Sequence, residues 1–245
     1  MVSVRGVVAR LAAAATLVGL CNASVRGDGF ARSEDTFLFF SGADLWRHGS
    51  FSYGGILWSP DGLDRGGLTF KALIGSGSYQ YKSGALGDAL VNGVQFTGFL
   101  LPGWRFVRDK TFVTVFAGLD LQHHRTSPYD PGSDLNGGHA GIRGAIEFWH
   151  EPNAATMLAA DATVSSIGPS YAARAAFGWR VADAFYLGPE VGGFASRDTY
   201  SQIRAGLHIT GFRFAWVEWS AAAGWALDSD DRDSFYARIG LHVRR

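Results

Sequence analysis

Between Gly138 and His150 the chain changes chemical character at every step. Ala140, Ile142, Gly144, Ile146 and Phe148 share one parity, and His139, Gly141, Arg143, Ala145 and Glu147 share the other. A period of two sends the two sets to opposite faces of an extended strand, whereas a helix would mix them. The pattern recurs along the chain. Val113, Val115, Ala117, Leu119 and Leu121 alternate with Thr114, Phe116, Asp120 and Gln122, and Leu158, Ala160, Ala162 and Val164 alternate with Asp161, Thr163 and Ser165. Ile203, Ala205, Leu207 and Ile209 oppose Gln202, Arg204 and His208; further on, Val217, Trp219, Ala221, Ala223, Ile239 and Leu241 oppose Glu218 and Arg238. Among the residues just named, the charges of each strand fall on one side.

Turn residues punctuate these runs: Arg47-His48-Gly49, Pro60-Asp61-Gly62, Val107 to Lys110, Glu151-Pro152-Asn153, Ala182-Asp183-Ala184 and Phe212-Arg213-Phe214. Strands are predicted at 37–46, 50–59, 67–81, 91–105, 111–125, 138–150, 156–166, 170–181, 185–196, 200–211, 215–227 and 234–243. Twelve is an even number, as a bacterial barrel with both termini on one side requires. The connections on the side of the termini are mostly short. Those on the other side include Thr126 to Asp134 and the acidic Asp228 to Asp233, which gives the asymmetry of an outer-membrane barrel.

Composition decides which solvent the apolar faces meet. Only 18% of residues are charged and 14% are aromatic, yet no apolar run after the N-terminus reaches the length of a membrane helix. A closed sheet resolves this, because it can span lipid without an unpaired edge. Trp58, Trp104, Trp149, Trp179 and Trp216 gather near one set of strand ends and Tyr53, Tyr79, Tyr81, Tyr171, Tyr200 and Tyr236 near the other, so two aromatic belts are expected on the lipid side. The fold class that follows is all-β: a transmembrane antiparallel up-and-down β-barrel of about twelve strands, with outer-membrane lipid as its partner. A lipocalin-like or sandwich protein would carry the same alternation with the apolar face inward. The final Val243-Arg244-Arg245 lacks the terminal aromatic common in outer-membrane barrels.

Arg5 and Arg10 precede the apolar Leu11 to Leu20, and Cys21-Asn22-Ala23 follows. This reads as a Sec signal peptide, residues 1–23, cleaved near Ala23. A lipid-modified Cys21 is the weaker reading, since such a cysteine normally follows a small residue and here follows Leu20. Residues 24–36 then form an N-terminal periplasmic segment and 37–245 the barrel in the bacterial outer membrane. The mature chain has no cysteine and relies on its sheet alone. Zero formal net charge gives no reason to expect nucleic acid.

The lumen parities carry Asp44, Asp120, Glu147, Asp161, Glu190 and Glu218 with Lys71, Arg143, Arg174, Arg204 and Arg238. Such a set reads either as an interior salt-bridge network or as a polar conduit in which Phe116, Tyr186, Phe194 and Tyr236 offer flat faces to sugar rings. Twelve strands lie between filled eight-stranded barrels and water-filled porins, so a narrow or plugged lumen is expected. His123 and His124 are neighbours on a strand and point to opposite faces, which argues against a shared metal. Ser165-Ser166 and His150 lie at opposite strand ends and no nucleophile elbow is present. No catalytic residue, cofactor or metal is therefore expected.

The segments SGADLWRHGSFSYGGILWSPDGLDRGGLTFKALIGSGSYQY (41–81), LPGWRF (101–106), VFAGLDLQHHRTSPYDPG (115–132), ATMLAADATVSSIGPSYAARAAFGWRV (155–181), FYLGPEV (185–191) and EWSAAAGWALDSDD (218–231) resemble the BcsS family of cellulose-biosynthesis proteins from alphaproteobacteria. The resemblance implies a place in cellulose production, with cellulose or other components of the export machinery as partners, and carries no catalytic residues with it. Two functions follow: a non-enzymatic outer-membrane barrel assisting secretion or surface organisation of the glucan, or a barrel enzyme modifying lipid or polysaccharide.

Overall fold

The structure, a computed structural model, describes residues 35–245 apart from 197–199 and 231. The expected signal peptide and most of the 24–36 segment lie outside the described residues. Twelve strands follow in order: β1 Phe37–Trp46, β2 Gly49–Trp58, β3 Gly67–Ser83, β4 Ala89–Arg108, β5 Thr111–Ser127, β6 Gly137–Asn153, β7 Thr156–Ser165, β8 Ser170–Val181, β9 Phe185–Ser196, β10 Ser201–Phe214, β11 Val217–Asp228 and β12 Asp233–Arg244. Each pairs antiparallel with its sequence neighbour, and β1 pairs with β12 to close the barrel. The seam is tight, with Phe37 N donating to Arg245 O and Arg245 N to Phe37 O. Closure leaves no unpaired edge.

All twelve predicted strands are present. Most boundaries moved, and the expected turn at 212–214 is a correction: Phe212, Arg213 and Phe214 pair with Trp219, Glu218 and Val217, and the chain reverses at Ala215 and Trp216 instead. The register slips between Ile209 and Phe212, where Gly211 takes φ +81. An inserted residue there lets the strand continue past the expected stop. Strands β3 to β6 run 17, 20, 17 and 17 residues, against 10 in β1, β2 and β7, so one side of the wall is taller than the other.

The outer surface is apolar. Ile74, Ile142, Ile203 and Leu207 are exposed, with Ile74 at 74%, which no water-facing wall would tolerate over its whole circumference. The tryptophans Trp58, Trp104, Trp179 and Trp216 stand on this surface near the ends of the barrel that carries the termini, and Phe37, Trp58 and Phe70 stack along it. Trp149 does not join them: it is buried in the lumen and its Nε1 donates to Glu151 Oε1 at 3.3 Å. The second expected belt is also corrected. Tyr53, Tyr81, Tyr200 and Tyr236 are buried inside, and Tyr79 bonds to the buried His124. Only Tyr171 of that set faces outward on a strand. A ring of phenols needs hydrogen-bond partners, and the lumen supplies them where lipid could not.

The interior is a packed core with two characters. On the β1 to β6 side, Leu38, Phe40, Phe51, Leu57, Leu73, Phe99, Leu101 and Phe116 form one apolar cluster. Charges alone cannot fill a twelve-stranded lumen, so large apolar side chains take up the remaining volume. Elsewhere the lumen is largely ionic.

Candidate functional site: the charged lumen

The strand period carries every predicted lumen charge inward. Asp44, Lys71, Asp120, Arg143, Glu147, Asp161, Glu190, Arg204 and Glu218 are buried, while Arg174 and Arg238 are partly exposed within the lumen. They are paired. Lys71 Nζ lies 2.5 Å from Glu147 Oε1, linking β3 to β6. Arg143 Nη2 lies 2.8 Å from Asp120 Oδ2. Arg174 joins Asp161 at 2.9 Å and Glu190 at 3.4 Å, and Arg238 meets the same Glu190 oxygen at 2.6 Å. Arg204 Nη1 lies 2.8 Å from Asp44, bringing β10 to β1. Glu218 sits 3.5 Å from Arg213 and 3.9 Å from His242. Pairing of this kind is what permits charges at such depth.

Neutral side chains extend the network. Asp120 also accepts from Ser165 Oγ at 2.5 Å and Gln122 Nε2 at 3.0 Å; Gln122 Oε1 meets His124 Nε2, and His124 Nδ1 meets the Tyr79 hydroxyl. This relay leads from mid-lumen toward the end opposite the termini. Lys71 lies over the rings of Phe40 and Phe116. Tyr186 accepts from Arg180 Nη2 at 2.6 Å beneath its guanidinium and packs edge-on to Trp149. Phe194 packs on Tyr200, and Tyr236 donates to Glu190 Oε1 at 3.0 Å. The four aromatics expected as sugar platforms are thus engaged with their neighbours and buried.

Two loops fold over the mouths. On the side of the termini, residues 59–66 turn inward: Leu63 is buried, its N–H donates to Asp35 O, its carbonyl accepts from Arg105 Nη1, and Asp64 pairs with Arg244 at 3.2 Å. On the other side the 128–136 loop is held by Asp130, which accepts from Tyr81 at 2.8 Å and from Gly132 N, while Leu135 packs on Ile167. Burial beside Asp228 pushes the Tyr200 hydroxyl in a neighbouring loop above the ordinary tyrosine range. None of these loop contacts was foreseen from sequence.

Ser165 donates to a carboxylate, not to a histidine, so the arrangement that activates a serine is missing from it. His123 faces out and His124 in, as their adjacency required. Among the described residues no three His, Cys, Asp or Glu side chains cluster as a metal site.

Comparison with solved structures returns outer-membrane barrels. An outer membrane channel from Pseudomonas putida F1 superposes with a TM-score of 0.54 at 12% identity, covering 90% of this chain and 99% of that one. LpxR from Salmonella typhimurium gives 0.51 at 11%, covering 85% and 99%. A KdgM porin in complex with disordered oligogalacturonate gives 0.50 at 8%, covering 84% and 98%. These likenesses establish the fold. Comparison with curated proteins gave no match. The sequence itself, over residues 38–245, fits the model of the cellulose biosynthesis protein BcsS, and the chain therefore belongs to that family.

Proposed function

We propose that this protein is a non-enzymatic barrel of the outer membrane that serves cellulose at the cell surface, organising or assisting release of the glucan without threading it through the lumen. The observation that carries this reading is the pairing of Arg204 with Asp44 and of Lys71 with Glu147, two contacts between non-adjacent strands inside a barrel whose mouths are folded over. A glucan passing through the barrel would have to part these pairs and leave four buried charges without partners, a step that costs several kcal/mol for each. The surface that remains for a polymer is the outer rim with its long loops. Export through the Sec route, read from the apolar Leu11 to Leu20 leader, agrees with that location.

A deletion strain tests the reading. Surface cellulose is expected to fall or to lose its attachment, while synthase activity in isolated inner membranes stays intact, because polymerisation needs a nucleotide-sugar site of the kind a phosphate loop provides. Restoring the phenotype with a variant whose 128–136 loop is replaced by a short turn would count against the rim. Normal surface cellulose in the deletion strain would remove the reading and favour a barrel enzyme.

A further inference from the structure

The outer wall is not uniform. On the lipid side of β2 to β5 lies a groove of about 390 Å³, lined almost wholly by apolar atoms and walled by Ile56, Ile74, Leu100, Leu119 and Leu121 over a floor at Gly98. Three of its four strands, β3 to β5, belong to the tall side of the wall. Directly above Leu121, on the same face of β5 and away from the termini, come His123 and then Arg125, both exposed; Lys82 stands exposed at the same end of β3. No strand from β7 to β12 turns a Lys, Arg or His outward. Among the described residues Arg125 and Lys82 form no ion pair or side-chain hydrogen bond.

Depth on the strand says what these cations meet. From Val113 to His123 the outward face of β5 rises about 25 Å, taking about 3.3 Å per residue and a tilt near 40°, which is the height of the apolar band in an outer-membrane barrel. His123 and Arg125 therefore stand at headgroup level, above hydrocarbon. A guanidinium at that boundary binds phosphate by two parallel charge-assisted hydrogen bonds, in a medium less screening than water. The groove beneath has the depth for an acyl chain because Gly98 carries no side chain: a Cβ there would meet nothing nearer than 3.7 Å.

We propose that the wall of β2 to β5 is a binding site for a phosphorylated glycolipid of the outer leaflet, with an acyl chain in the Gly98 groove and a phosphate on Arg125 and His123. The proposal rests on the outer-membrane location, and is independent of any role in cellulose. It gives the barrel a fixed lipid on one side only, and so a fixed orientation relative to its neighbours in the membrane.

Native mass spectrometry of the purified full-length mature barrel, mixed with lipid A carrying both phosphates, with lipid A stripped of them, or with phosphatidylethanolamine, is the test. Bis-phosphorylated lipid A is expected to be retained roughly tenfold more than the stripped form, and the preference to vanish in Arg125→Glu with His123→Glu. Gly98→Leu fills the groove and is expected to lower retention of both lipid A forms by a similar factor while leaving the heat-induced gel shift of the folded barrel unchanged. If the double change fails to fold, Arg125→Gln alone supplies the same readout. Equal retention of the three lipids, or a preference that survives loss of Arg125, overturns the proposal and leaves an ordinary annular surface. A barrel that dimerises through this wall, with dimer loss in Gly98→Leu and no lipid preference, overturns it in favour of a second copy.

Discussion

Arg204 Nη1 lies 2.8 Å from both carboxylate oxygens of Asp44, a residue 160 positions earlier in the chain. The guanidinium also lies 5.1 Å from the rings of Trp46 and Tyr236, and its Nε donates to Gln202 Oε1 at 2.5 Å. The first expectation concerns this pair. Asp44→Ala strands a buried cation and is expected to cost about 3–5 kcal/mol in urea unfolding of the refolded barrel, whereas Asp44→Leu combined with Arg204→Met recovers most of it. Equal losses in the single and double variants would mean that packing, not charge, sets the stability there.

On the lipid face, Ile142→Arg, opposite Leu119 near the middle of the apolar band, is expected to destabilise by about 2–4 kcal/mol, while Asn153→Arg at the rim costs about 0–1 kcal/mol. Unfolding titrations in lipid vesicles measure both. Thr163→Arg is no neutral control, because Thr163 is buried and its hydroxyl lies 3.4 Å from Arg143 Nη1.

Gly211 holds the left-handed conformation that lets β10 slip register, and a side chain there is strained whatever the space around it. Gly211→Ala is expected to cost about 1–2 kcal/mol in the same titration, and Gly98→Ala, in extended backbone with room for a methyl group, to cost nothing or to stabilise slightly.

Arg105 ties the inward loop through the Leu63 carbonyl. Arg105→Ala is expected to release residues 59–66, making the bond after Arg65 a trypsin site in detergent-solubilised barrel while the strands stay protected. Unchanged protection would show that burial of Leu63 alone holds the loop.

The strand plan was legible because each strand repeats its in-and-out choice five times or more, as from His139 to Phe148. The slip at Gly211 was not, since one inserted residue reads like a turn when only local composition is weighed. The inward tyrosines are legible in parity: Tyr79 and Tyr81 share that of Lys71, and Tyr236, a lumen aromatic by sequence as well, shares that of Arg238, whereas nearness to a strand end does not say which face a ring takes. Trp149 shares the parity of Glu147 in the same way. Parity placed the predicted lumen charges, but the set read from sequence left out the buried Arg105 and Glu151, and parity could not say that Arg204 would choose Asp44 or that Lys71 would cross to Glu147. Those choices depend on barrel closure, strand stagger and side-chain length. The loop contacts of Leu63 and Asp130 were illegible for the same reason, because their partners Asp35 and Tyr81 come near only once the sheet has closed.

The proposal that the paired charges close the lumen is tested most directly by conductance of the purified barrel in a planar bilayer. Wild-type protein is expected to stay at the baseline, with openings appearing when Arg204 and Lys71 are replaced by alanine and the pairs to Asp44 and Glu147 are lost. A steady wild-type conductance that added cello-oligosaccharides block would contradict it, and would make the lumen a glucan passage.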